Sequence, residues 1–296
     1  MGSRQRQNTI AGLIFTSPFI VGFLVFSFYP IGASLFYSFT SYRILTPPHW
    51  IGLGNYQRML FTDELFWTSL YNTSFFTLLS VPSGLLASFV LALALNANIR
   101  GLSIYRTVFY LPSLVPTVAV AIIWLWLFHT RYGLLNIILQ WLGLPRVGWL
   151  TSPGMAKPSL AIMGLWAIGP TVIIFLASLQ DVPQQLYEAA EIDGAYYLQK
   201  TVYITVPMVT PVILFNLIMG LIGSFQYFTQ AYIMTNGGPV NATLMYVMYL
   251  YKNGFEYIQM GYASAMAWVL FLVILLCTAV VLRSSGRWVY YGGVAR

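Results

Sequence analysis

The chain has 296 residues, of which 14 are Lys or Arg and 7 are Asp or Glu, for a net charge of +7. Charged residues make up 7% and hydrophobic residues 58%, with a mean hydropathy of +0.74. An ordinary soluble domain has about 25% charged residues, so this composition excludes a water-soluble globule, a disordered chain and a disulfide-rich secreted fold.

What remains is an all-α, polytopic membrane protein. A spanning helix needs about 20 mostly apolar residues, and six runs supply them. The first covers 10–39 and contains Pro18 and Pro30. It is too long for a signal peptide, and no small-residue cleavage pattern follows it, so it reads as a retained helix. A mixed segment, 41–68, comes next, and a short interfacial helix is predicted around 56–66. The second run covers 71–95 with Pro82, and the third covers 107–128 with Pro112 and Pro116. The fourth covers 159–179 with Pro170, the fifth 208–234 with Pro211, and the sixth 262–282. In a bundle, neighbouring helices can satisfy the carbonyls that a proline frees, so these prolines read either as simple bends or as gating joints. Alternating β patterning is absent, which argues against a barrel. No repeat of 20–50 residues occurs, and 1–296 is taken as one membrane domain. The single cysteine, Cys277, rules out an internal disulfide and reads as a small buried residue.

Lys and Arg near helix ends set orientation. With both termini inside, Arg4, Arg6, Arg100, Arg106, Lys200, Arg283, Arg287 and Arg296 lie inside, and the other six basic residues lie outside. The tight 96–106 turn, with two arginines and no acid, is the clearest signal. Basic residues scattered over both faces suit orientation and lipid headgroups, not nucleic acid. His49 and His129 stand far apart with no acid or cysteine at metal-ligand spacing, and no metal or catalytic residue is assigned.

The segment between the fourth and fifth runs holds four of the seven acids, Asp181, Glu188, Glu191 and Asp193. Loops at the cytoplasmic membrane face favour cations, so an acidic one asks for a reason. The 184–198 stretch suits a short amphipathic helix, with Leu186, Ala189, Ala190, Ile192 and Tyr196 against Glu188, Glu191 and Gln199. Asp193-Gly194 marks a turn or C-terminal cap. On physics alone, an ordinary loop with a solvated acidic face and a docking surface for another protein weigh equally.

Glu188-Ala189-Ala190, three residues, Gly194, nine residues, Ile204 and then Pro207 resembles the cytoplasmic loop motif of binding-protein-dependent ABC importer permeases. Val206 stands where leucine is usual and Thr201 where an aromatic is common; the spacing is intact. The segments 48–60, 105–116, 124–136, 235–255 and 260–268 are similar to sugar permeases of the maltose and glycerol-phosphate type, and Gly54-Asn55-Tyr56 to the larger of their two permease partners.

The resemblance implies the type I ABC importer permease fold and a coupling loop at about 181–206. Glu188 would be its polar anchor, Ala189 and Ala190 would allow close packing, and Asp193 and Gly194 would shape the turn. It also implies four partners: a second permease, an ATPase dimer that binds ATP and Mg, an extracytoplasmic solute-binding protein, and a sugar. The location implied is a bacterial or archaeal inner membrane. The chain has no G-x-x-x-x-G-K-[ST], so it needs no cofactor of its own and ATP hydrolysis is expected in a separate subunit. In the fifth run, Asn216, Gly220, Ser224 and Tyr227 share a face. The resemblance makes this a substrate path for a neutral oligosaccharide, while small polar residues also serve plain helix packing. Trp124, Trp126 and Trp166 are weaker candidates. The competing reading, a secondary transporter or channel, would place ionisable residues inside the membrane, and the six runs lack them away from their ends. A membrane-embedded enzyme would need a catalytic constellation that the sequence does not supply.

Overall fold

Proline placement explains much of the helix geometry. The computed structural model describes residues 3–97 and 101–290; Arg100 and Arg296, assigned to the inner side above, lie outside them, as does the Arg4 side chain. The chain divides into two compact units, one of Met1–Asp63 with Leu250–Phe271, the other of Glu64–Tyr249 with Leu272–Arg296. Among the described residues, extended pairing is limited to the isolated bridges Thr40–Trp50 and Arg43–Thr46.

In the first unit, α1 (Ser3–Phe23) passes through a widened π-helical turn, Leu24–Phe28, into α2 (Tyr29–Ser38). Proline clashes with the carbonyl four residues before it. For Pro30 that carbonyl belongs to Phe26, inside the widened turn, so the extra residue relieves the clash. Pro18 is carried inside α1 without interruption. A short α3 (Gly54–Phe61) fills part of the predicted interfacial segment, five residues shorter at its C-terminal end because Thr62 and Asp63 leave the helix. Asn55 pins it to the end of α2, donating to the Ser38 and Thr40 carbonyls at 2.8 and 2.9 Å.

In the second unit, α4 (Glu64–Leu95) is a single 32-residue helix that begins well before the expected start at 71. Asn72 is therefore inside a helix and buried. The third predicted span is α5 (Leu102–Tyr110), a 3₁₀ turn at Leu111–Leu114 and α6 (Thr117–Leu127), bent by 98° where Pro112 and Pro116 fall. A short α7 (Leu134–Trp141) follows. The fourth span is α8 (Pro153–Leu165) and α9 (Gly169–Gln180), bent by 52° ahead of Pro170. The next segment forms α10 (Gln184–Ile192) and α11 (Tyr197–Lys200), so the expected single helix over 184–198 is broken at Gly194.

A second π-helical turn, Thr201–Thr205, leads into α12 (Val206–Phe225), again placing the carbonyl four before a proline, here Pro207, in the widened turn. The fifth run was expected to continue to 234. After Gly220, Gly223 and polar Gln226 the chain instead unwinds, and α13 (Thr229–Thr235) starts afresh. Glycine and polar groups weaken a helix interior at this point. After α14 (Tyr246–Tyr251) and a third π-helical turn, Lys252–Glu256, the final helix is α15 (Met260–Ser285).

Four runs are long and apolar enough to cross a membrane: Asn8–Ser38, Glu64–Leu95, Tyr197–Phe225 and Met260–Ser285. The two bent pairs raise this to six when each is counted as one broken span. The chain is thus an all-helical, multi-pass membrane protein.

Polar groups hold the second unit together at one end. Lys157 Nζ donates to Asn72 Oδ1 at 2.7 Å and sits about 5 Å from the Tyr71 and Phe75 rings. Asn72 Nδ2 donates in turn to the Asn241 carbonyl at 2.7 Å and the Leu244 carbonyl at 3.2 Å. Asn72→Ala would remove all three contacts and leave a half-buried ammonium without its acceptor. Hydrogen bonds to charged groups are worth about 1.5–3 kcal/mol, so Asn72→Ala is expected to lower the detergent-phase melting midpoint by several degrees. An unchanged midpoint would show that the contacts are replaced by water.

Candidate functional site

The segment from Asp181 to Pro207 is ordered by its own sequence. Pro183 precedes α10, which ends in a Schellman arrangement. The Ala195 N–H reaches back to the Ala190 carbonyl at 2.8 Å, and the Gly194 N–H to the Glu191 carbonyl at 3.0 Å. This needs a left-handed residue at position 194, where φ is +78°, and glycine takes that conformation without a Cβ penalty. A Cβ built there meets nothing within 4 Å, so the glycine is required by backbone conformation, not by crowding inside this chain. Tyr196 then opens α11 through a reciprocal capping box with Gln199.

A hydrophobic cluster seats the segment. Ala92 and Leu95 of α4, Phe175, Leu176 and Leu179 of α9, Val182 and Val209 are buried together, and Tyr187, Ile204 and Met208 pack against them. Ile204 is the motif isoleucine, and its place against this core explains its fixed distance from the glycine. On the other side, Glu188 and Ala189 are exposed and Ala190 is half-buried. Large apolar groups on the same segment are also in the open: Ile192 is 88% exposed and Tyr203 77%. The segment thus carries an ordered, exposed apolar surface beside its acidic side chains. The sequence reading missed Tyr197, Leu198 and Tyr203 on that surface. Their alternation with buried Thr201 and Thr205 was the available signal.

The predicted polar face of α12 lies against α4. Ser224 Oγ donates to Thr77 Oγ1 at 2.9 Å, and a Cβ at Gly220 would stand 3.1 Å from Val81 Cγ1. Asn216 is buried and donates to the Val212 carbonyl in its own helix at 3.0 Å. Tyr227 has left the helix, yet its ring packs on Phe76 with centroids 4.4 Å apart. Its hydroxyl and the Trp124 indole N–H are buried without a hydrogen-bond partner. Trp124 also packs edge-on to Trp166 at 6.2 Å. Elsewhere in this unit a cleft of about 610 Å³ is lined by Phe128, His129, Arg131, Thr235, Gly238 and Pro239. Sequence reasoning passed over His129 and Arg131 because nothing in their spacing suggested chemistry.

These features describe an all-helical, multi-pass membrane protein with a capped interhelical segment. The chain belongs to the family described as binding-protein-dependent transport system inner membrane component, which matches residues 80–289. It is similar to the probable ABC transporter permease protein YesP of Bacillus subtilis (strain 168), at 44% identity over 97% of this chain and 94% of that one. It is also similar to the arabinooligosaccharides transport system permease protein AraP of the same organism, at 34% identity over 93% and 88% of the two chains. Among solved structures, a bacterial alginate ABC transporter in complex with alginate pentasaccharide-bound periplasmic protein matches with a TM-score of 0.83, 26% identity and 96% coverage of both chains. The chain is therefore the membrane permease component of an ABC importer, not itself a catalytic subunit.

Proposed function

We propose that this chain is the larger-type permease of a carbohydrate importer. It would form the translocation path with a second permease, served by a separate ATPase dimer that holds ATP and Mg and by an extracytoplasmic solute-binding protein. The observation that carries this reading is the capped α10, with Glu188 and Ala189 exposed on a segment seated directly on the α4–α9–α12 core. Motion imposed on that segment reaches three spanning helices through packed side chains. Residues Glu188, Ala189, Ala190, Asp193 and Gly194 are assigned to ATPase coupling. This puts the segment, and with it both termini, on the cytoplasmic side of an inner membrane.

The first span supports the second permease. Phe15, Phe19 and Phe26 are 78–86% exposed in this chain, leaving a continuous apolar surface for a partner helix or lipid. The relatives that move arabinooligosaccharides and alginate support a carbohydrate. Val206–Phe225 has no charged side chain, which favours a neutral oligosaccharide over a phosphorylated one. Co-expression with a cognate ATPase tests the whole reading: the two should co-purify and drive ATP-dependent oligosaccharide uptake. Uptake by this chain alone on a proton gradient would overturn it.

Along the substrate path, the contacts of Gly220 and Ser224 support a packing role, with Asn216 one turn earlier on the same helix. Tyr227 keeps the stronger claim to solute, because its buried hydroxyl has no partner and buried polar groups ordinarily find one. Tyr227→Phe retains the ring packed on Phe76 and removes only that hydroxyl. Oligosaccharide uptake is expected to fall several-fold with ATPase assembly unchanged. Unchanged uptake would assign Tyr227 to packing as well.

A further inference from the structure

We infer that Glu191 and Lys200 are positioning residues for energy coupling, forming a strut that makes the docking helix α10 move as one body with α12. The inference rests on the coupling role proposed above, and neither residue belongs to the motif that suggested that role.

Lys200 Nζ donates to Glu191 Oε1 at 2.7 Å, across the Gly194 turn that separates α10 from α11. The two side chains differ in setting: Lys200 is 18% exposed and Glu191 64%. The lysine is thus held inside the fold while the glutamate reaches it from the docking helix. A second link runs parallel to the first, the Tyr187 and Thr205 hydroxyls standing 2.9 Å apart. Both links start on α10 and both end on the stretch that leads into α12. Between them lies a cavity of about 260 Å³, lined in part by Leu93, Asn96, Leu179 and Thr201. Tyr187 seats α10 on the core, but beside it, toward Glu191, the cavity leaves α10 without packed neighbours. The turn itself is held by backbone caps around a glycine and by the Tyr196–Gln199 capping box, all local to it. A push on α10 would therefore fold the turn at Gly194, unless the struts carry the load to Lys200 and Thr205. Both of those residues bound or belong to the π-helical turn from which α12 starts.

A partly exposed ion pair adds little to stability, so the expected signature is lost coupling in a folded, assembled complex. The test uses the complete complex in nanodiscs, with a cysteine introduced at Met219 of α12 in a Cys277→Ser background. The readout is the change in labelling rate by a membrane-impermeant thiol reagent on trapping with ADP and vanadate, alongside ATP hydrolysis. Glu191→Lys and Lys200→Glu are each expected to keep ATPase association and to lose at least half of the trapping-induced change. The double swap, which restores the pair with reversed charge, is expected to recover most of it. Single variants with an undiminished response, or a double swap no better than its parents, would overturn the strut. Failure of the unmodified chain to associate with the ATPase would instead overturn the coupling role itself.

Discussion

Gly194→Trp is expected to reduce ATP-driven oligosaccharide uptake to less than a tenth while leaving the chain inserted in the membrane. Two effects combine at this residue. The backbone is left-handed, at φ +78°, and a side chain in that conformation costs about 1–2 kcal/mol. That strain loosens the bonds from the Gly194 and Ala195 N–H groups that end α10. The second effect is volume. Within this chain an added Cβ meets nothing within 4 Å, so the bulk would be felt by the proposed ATPase partner and not by this chain's own atoms next to the Cβ. Gly194→Asn separates the two, because asparagine tolerates the left-handed region and is the usual alternative at this cap. Uptake by the Asn variant is expected to stay above half of normal. Immunoblotting of membranes checks insertion, and uptake in cells that depend on the transporter checks function. Normal uptake by the Trp variant would remove the coupling segment from the mechanism.

Gly169→Val is expected to be strongly destabilising. Gly169 opens α9 immediately after the 52° bend, where the backbone passes against the other broken span. A Cβ there would lie 2.8 Å from the Phe109 carbonyl oxygen and 2.9 Å from Tyr110 Cα. Both are backbone atoms, which cannot turn aside as a side-chain end can. Overpacking of this kind costs typically 1–3 kcal/mol, and a β-branched residue against main chain belongs at about 3 kcal/mol or above. A sharply lower melting midpoint in detergent and reduced accumulation in the membrane are expected. Gly164→Ala, one residue before the end of α8 and with nothing within 4 Å, is the control. It should be neutral or slightly stabilising, since alanine exceeds glycine in helix propensity by about 1 kcal/mol. Equal effects at the two sites would show that the contact with Phe109 and Tyr110 yields easily.

The number of spans was legible because each is a long apolar run, and hydropathy reports that directly. The breaks were legible only in part. Proline marked every candidate, yet Pro18, Pro82 and Pro211 are carried within continuous helix, Pro30 and Pro207 follow widened turns, and Pro112, Pro116 and Pro170 accompany bends. Which outcome follows depends on what the neighbouring helices do with the freed carbonyl, and local sequence does not encode that. The loop glycine was legible as a cap because the left-handed requirement is local. The polar face of α12 was legible as a stripe, but its neighbour α4 was not, because the Ser224–Thr77 bond joins residues 147 positions apart. Lys157 was read as an outer-segment cation. Its partner Asn72 lies 85 positions away, so no local pattern joins the two.

The widened turn at Thr201–Thr205 changes how residues beyond it must be mapped. A helical wheel drawn from Tyr197 to Phe225 at constant pitch advances about 100° per residue. A π-helical turn contains one residue more than the α-helical turn it replaces. Azimuths assigned by such a wheel are therefore correct relative to one another on either side of the turn, and offset by about one residue's rotation across it. Alignments that place a one-residue gap at this point would be registering a change of phase, and swapping side chains between relatives without that correction would rotate the lining of α12 away from its intended face.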